Sequence, residues 1–216
     1  MSRAAVCARR ALLGVAGAIG LGACSHSLLR SDRAPPTVYV LSPRPGARGP
    51  GVATDMKVLT PIVAPGIDSA RIAAAYPDRR LDHFARARWN APLGEALEQL
   101  TIGEFRDRSG LRAVVPDRSV EQPRYWLELE VVAFQADYPR RGGPPTVDAH
   151  FVARVGDTAT GRVIARIDAD ERRRAAANRL TSIVAAFEAA GDAALARIVA
   201  TTDARLARAL SARRPP

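Results

Sequence analysis

Cysteine, lysine, histidine and aromatic side chains are all scarce in this chain of 216 residues, and each shortage removes a class of function. Two cysteines, Cys7 and Cys24, are too few for a disulfide framework or a cysteine-based metal cluster. The histidines, His26, His83 and His150, are dispersed, and none has a second ligand at metal-binding spacing. Lys57 is the only lysine, so no glycine-rich phosphate loop ends in the lysine that such loops need. Tryptophan, tyrosine and phenylalanine make up 5% of the chain and do not interleave with its arginines, which argues against stacking platforms for nucleic acid. The main apolar run, residues 11–23, has 13 residues where a permanent membrane helix needs about 20.

What is present at the N-terminus is an export pattern. Arg3, Arg9 and Arg10 precede the uncharged run "ALLGVAGAIGLGA", whose length suits the apolar core of a signal peptide. Four glycines, Gly14, Gly17, Gly20 and Gly22, weaken it as a stable cytosolic helix. The run ends at Cys24, which by composition alone is a core residue, a reactive thiol, half of a disulfide or the first residue of the mature protein. "LGAC", residues 21–24, resembles the lipobox of bacterial lipoproteins, and that resemblance implies cleavage before Cys24 and acylation of it. Ser25 in place of aspartate implies, on the same resemblance, release to the outer membrane. Removal of residues 1–23 discards Cys7 and lowers the formal charge from +10 to +7, since 29 basic residues then face 22 acidic ones.

Residues 24–54 read as a lipidated N-terminus and a Pro/Gly-rich tether interrupted by the short strand "TVYVL". "MKVLTPIVAPGI" predicts a strand closed at Pro65-Gly66, and residues 70–88 predict a hairpin around "PDR" whose alternation fails at Phe84. "NAPLGEALEQLTIGEF" has helical spacing, with Asn90 as the expected cap and Pro92 in the first turn. "LRAVVP" predicts a short strand. "RYWLELEVVAFQADY" is the strongest strand, with Leu127, Leu129 and Val131 on one face and Trp126, Glu128, Glu130, Val132 and Phe134 on the other. A further hairpin is expected around "GDTATG", with Val147, Ala149, Phe151, Ala153 and Val155 inward. The last segment carries Ile183, Phe187, Ala190, Ala194, Ile198, Leu206 and Leu210 at helical spacing, with an expected irregularity at Gly191-Asp192. The reading is an α+β domain over residues 55–210, a mostly antiparallel sheet with helices packed on one face, and a tail at 211–216.

No local constellation carries catalysis. Asp148 and His150 share a strand face only as alternation dictates, and no G-x-S-x-G elbow is present. No catalytic residue, metal or cofactor is assigned. In order along the chain, however, "YVLSP", "MKVLTPIVAPGID", "ARWNAPLGEALEQL" and "YWLELEVVAFQADY" resemble the ABC-type transport auxiliary lipoproteins that accompany MCE-type membrane systems, including the Pqi type. The family's tyrosine-bearing segment after the first strand departs here, where "PGIDSARIA" lacks the tyrosine. The resemblance implies a non-catalytic, periplasm-facing lipoprotein of an ABC lipid transport system, docking on an MCE-domain protein, with phospholipid as a further candidate partner. Tyr39, Arg88 and Trp89 are the candidate partner-binding residues. For Trp89 the structural alternative is core filling, and for Arg88 a local pair. A hydrophobic-ligand module would instead show an apolar cavity between sheet and helices, and an envelope enzyme a cleft of convergent polar groups.

Overall fold

In the computed structural model, which describes residues 35–139 and 142–212, the strongest alternation in the sequence becomes the spine of the sheet. The strands in chain order are β1 (Thr37–Tyr39), β2 (Val52–Val58), β3 (Ile62–Val63), β4 (Arg71–Ala75), β5 (Leu81–Trp89), β6 (Leu111–Pro116), β7 (Tyr125–Asp137), β8 (Thr146–Asp157) and β9 (Val163–Arg174). The helices are α1 (Leu93–Arg108) and α2 (Leu180–Ser211). β7 is antiparallel to β8 along its length, and β8 to β9. On its other side β7 is met in succession by three short parallel strands: β2 at residues 125–127, β3 at 130–131 and β4 at 136–137. β6 extends the sheet beyond β2, while β5 and then β1 extend it beyond β4.

The expected α+β class, with its long antiparallel ladders and helices on one face, is what the chain forms. The sheet is nevertheless mixed, since five of the eight strand pairings among the described residues are parallel. Those parallel pairings are short. Runs of two to seven residues carry no signal for direction, and the path of the chain between the strands sets it.

A bulge resets the core face of β7. Tyr125, Leu127, Leu129 and Val131 are buried, then the register shifts between Val131 and Ala133, and Phe134, Ala136 and Tyr138 take over. Phe134, expected on the outer face, therefore lies in the core because the extra residue inverts the alternation. β5 is irregular where its alternation fails: the pairing Ala73↔His83 jumps to Arg71↔Arg88. The expected strand at residues 56–67 is divided into β2 and β3, with Pro61 between them. β2 also begins at Val52, inside the segment read as tether.

α1 starts one residue after Pro92, and Asn90 does not cap it: the Leu93 amide donates to the Ser69 carbonyl at 3.1 Å, and the Asn90 amide to the Tyr39 carbonyl at 2.9 Å. Tertiary partners thus take the hydrogen-bonding work that a capping side chain would do. α2 runs without interruption through Gly191 and Asp192. Its buried stripe, Ile183, Phe187, Ala190, Ala194, Ile198 and Leu206, lies on the sheet, and that burial outweighs the weak helix propensity of one glycine.

Candidate docking site

Three residues marked by the sequence meet at one edge of the sheet. β1 lies parallel to β5, with Thr37, Val38 and Tyr39 opposite Ala87, Arg88 and Trp89. The pair of strands is pinned by the Trp89 amide donating to the Ala70 carbonyl at 2.7 Å and by the Asn90 to Tyr39 bond. Alternation then separates the side chains. Trp89 is 1% exposed, edge-on to Phe187 at 5.4 Å between centroids and tilted against Phe134 at 6.0 Å. Its indole fills the core and has no surface to offer a partner, which corrects the partner-binding candidacy of Trp89. Arg88 points away from the core, is exposed and makes no ion pair among the described residues. Tyr39 is half-buried against the core. Val38 and Val40 are about half exposed, and β1 has no second partner strand among the described residues. Cys24 lies outside the described residues.

After β1 the chain does not hang free. Leu41 is buried, Pro43 sits on Gly103 of α1, and residues 44–51 form a strap across the end of α1 and the middle of α2. The Arg44 amide donates to Glu104 at 2.9 Å, the Gly49 amide to the Arg108 carbonyl at 2.7 Å and the Val52 amide to the Gly110 carbonyl at 2.7 Å. Arg48 reaches the Ser109 carbonyl at 3.0 Å. Beneath the strap, Arg108 is in ion-pair contact with the fully buried Glu104 at 2.6 Å and with Asp192 of α2. Arg108 also donates to the Arg44 carbonyl at 3.1 Å, so one guanidinium joins both helices and the strap. Asp203 accepts the Gly110 amide at 2.8 Å.

Burial governs the acids of this cluster. Desolvation pushes the Glu104 carboxyl above its ordinary range against the opposing pull of the Arg44 amide and Arg108. Desolvation likewise raises Asp203 against the Gly110 amide. A buried, partnered charge of this kind costs about 3–5 kcal/mol to orphan, so the cluster holds the strap in one place. The i,i+4 spacing of Glu104 and Arg108 is visible in the sequence. Their meeting with Arg44 and Asp192 joins residues 60 and 84 positions apart in the chain and has no local signal.

Surface depressions of about 490 Å³ at Tyr76, Tyr138 and Arg172 and of about 300 Å³ at Arg108, Val199 and Asp203 lie outside the sheet–helix interface. Neither is lined by Trp89, Leu97, Phe105, Phe134 or Phe187, the large side chains that fill that interface.

The profile of a family described as the ABC-type transport auxiliary lipoprotein component matches residues 39–211. No curated protein matches the chain. A crystal structure of a protein from Xanthomonas campestris is similar with a TM-score of 0.74 and 24% identity, over 81% of this chain and 99% of that one. A second crystal structure, of an uncharacterized protein, gives 0.55 and 14% over 82% and 99%. These likenesses show the fold, whereas the profile spans the domain from Tyr39 in β1 to the end of α2. The chain therefore belongs to the ABC-type transport auxiliary lipoprotein components, as a lipid-anchored, periplasm-facing and non-catalytic accessory of a transporter.

Proposed function

We propose that acyl chains on Cys24 hold this protein in the outer membrane while its domain docks on an MCE-domain protein of an ABC lipid transport system. The observation that carries this reading is the contrast between a filled interior and an unfinished edge. The space between sheet and helices, where a carrier would enclose an acyl chain, is occupied by Trp89, Phe105, Phe134 and Phe187. At the edge, by contrast, β1 leaves Val38 and Val40 exposed beside Arg88. A strand with no second partner among the described residues, apolar side chains and a neighbouring cation suits the addition of a partner segment. ATP hydrolysis belongs to a separate subunit, because the sequence has no phosphate loop.

The test uses the membrane-anchored protein and an MCE-domain protein purified together under mild extraction. Changing Val38 and Val40 to aspartate removes two apolar contacts of about 1.5–3 kcal/mol each, enough to weaken recovery at least about tenfold. Undiminished recovery would overturn β1 as the docking edge. Failure of the unaltered protein to recover any MCE-domain protein would overturn the partner itself.

A further inference from the structure

We propose that Lys57 and Trp126 form a binding site for the phosphate of a phospholipid on the helix-free face of the sheet. Lys57 is the single lysine in a chain whose other basic residues are all arginine. It is only 9% exposed, and its ammonium donates to one acceptor among the described residues, the Ser119 carbonyl at 3.1 Å. Among the described residues no carboxylate forms an ion pair with it. Three acids of the same strands and their neighbours are paired with arginines, Asp55 with Arg112 at 2.6 Å, Asp157 with Arg124 at 3.4 Å and Glu128 with Arg154, while Asp117 accepts from the Thr60 hydroxyl at 3.1 Å. The ammonium of a side chain this buried, with one neutral acceptor and spare donors, is stabilised by an anion.

The surroundings are built for one. A cavity of about 150 Å³ is lined by Lys57, Leu59, Gln122, Pro123, Trp126 and Thr158, none of them acidic. Lys57 stands directly opposite Trp126 in the β2–β7 pairing. Trp126 in turn stands opposite Gly156, and Gly156 opposite Val163. The indole lies over Gly156 so closely that an added Cβ would sit 2.1 Å from Trp126 Cζ2, so only glycine lets the ring lie down as a floor. The neutral neighbours are apolar and in solvent: Val163, on the same rung, is 47% exposed, and Val120, next to the Ser119 that holds Lys57, is 94% exposed. A bare inorganic anion needs no such border. An anionic head that continues into a hydrocarbon chain uses both halves, and the phosphate of a phospholipid has that chemistry.

This assignment rests on the proposed lipid system for the availability of phospholipid, but its test contains no MCE-domain protein, so its failure leaves docking standing. The full lipidated chain in a non-ionic maltoside is titrated with dihexanoyl phosphatidylglycerol, with dihexanoylglycerol and with inorganic phosphate, and tryptophan emission is followed. Of the two tryptophans Trp89 is in the core, so a ligand-dependent change reports Trp126. Expected is a saturable change with phosphatidylglycerol, weakened about tenfold or more by Lys57→Met, which keeps the length of the side chain and removes its charge. Val163→Glu, at an exposed position where folding is not at stake, weakens phosphatidylglycerol but leaves the inorganic phosphate response unchanged. Equal affinity in Lys57→Met overturns the site. An inorganic phosphate affinity matching that of phosphatidylglycerol, or a full response to dihexanoylglycerol, overturns the phospholipid assignment.

Discussion

Replacing Gly110 with alanine tests whether the strap is held as part of the domain. Gly110 follows α1 and is not at a positive φ, so the demand for glycine there is one of space. An added Cβ would lie 1.7 Å from the Pro50 carbonyl oxygen, 2.6 Å from its carbon and 3.1 Å from the Gly51 Cα, all backbone atoms that no rotamer change can move. Relief needs the strap to lift by roughly 1.5–2 Å to reach ordinary contact. That movement stretches the Val52 to Gly110 and Gly49 to Arg108 hydrogen bonds, both now 2.7 Å. At about 1 kcal/mol for each bond, the loss is roughly 2 kcal/mol, or a fall in Tm of roughly 4–8 °C for a domain of this size. Gly51→Ala is the control, since nothing lies within 4 Å of its added Cβ. Thermal unfolding followed by circular dichroism gives the magnitude, and amide exchange gives the place, with Gly49 and Val52 exchanging faster in Gly110→Ala. A Gly110→Ala variant that melts with Gly51→Ala and protects those amides would refute the clamped strap.

Two other expectations concern the core and the charges beneath the strap. Trp89→Ala empties a buried ring site against Phe134 and Phe187 and is expected to lower stability by about 3–5 kcal/mol in urea unfolding; a loss under about 1 kcal/mol would contradict its place in the core. Glu104 and Asp203 have folded-state pKa values raised by burial, so between the ordinary carboxylate value near 4 and those raised values the folded protein binds more protons than the unfolded chain. Their contribution therefore falls as pH rises through that window. Asp203→Asn, which keeps an acceptor for the Gly110 amide, is expected to flatten the decline measured by urea unfolding at stepped pH, and an unchanged slope would count against the buried-acid account. Asp55, held below its usual range by Arg112, acts with the opposite sign, its stabilisation being lost as pH falls.

Much of the fold was legible because it is written in short periods. The alternation of β7 and β8 and the stripe of α2 are repeats of two and of about 3.6 residues, and each marks the face that ends up buried. The failure of alternation at Phe84 marked the irregularity of β5. The same rule misplaced Phe134, because one extra residue at the bulge reverses the phase and leaves no compositional trace. Asn90 was a sound cap by residue type, but the helix start received the Ser69 carbonyl instead. Of the candidate site, the sequence singled out Arg88 and Trp89 together, and a strand's alternation sent one outward and the other into the core.

The sequence by itself determined the order of elements, the class of the fold and the family, because hydrophobic period, turn residues and motif order are properties of neighbours along the chain. Tertiary structure alone decided that the Pro/Gly-rich segment is strapped down from β1 onward, that three short strands run parallel along β7, and that Lys57 has a carbonyl and no ion pair as its partner among the described residues. Those outcomes depend on which distant residues exhaust one another's hydrogen bonds and charges. That matching is fixed only when the sheet closes around its spine.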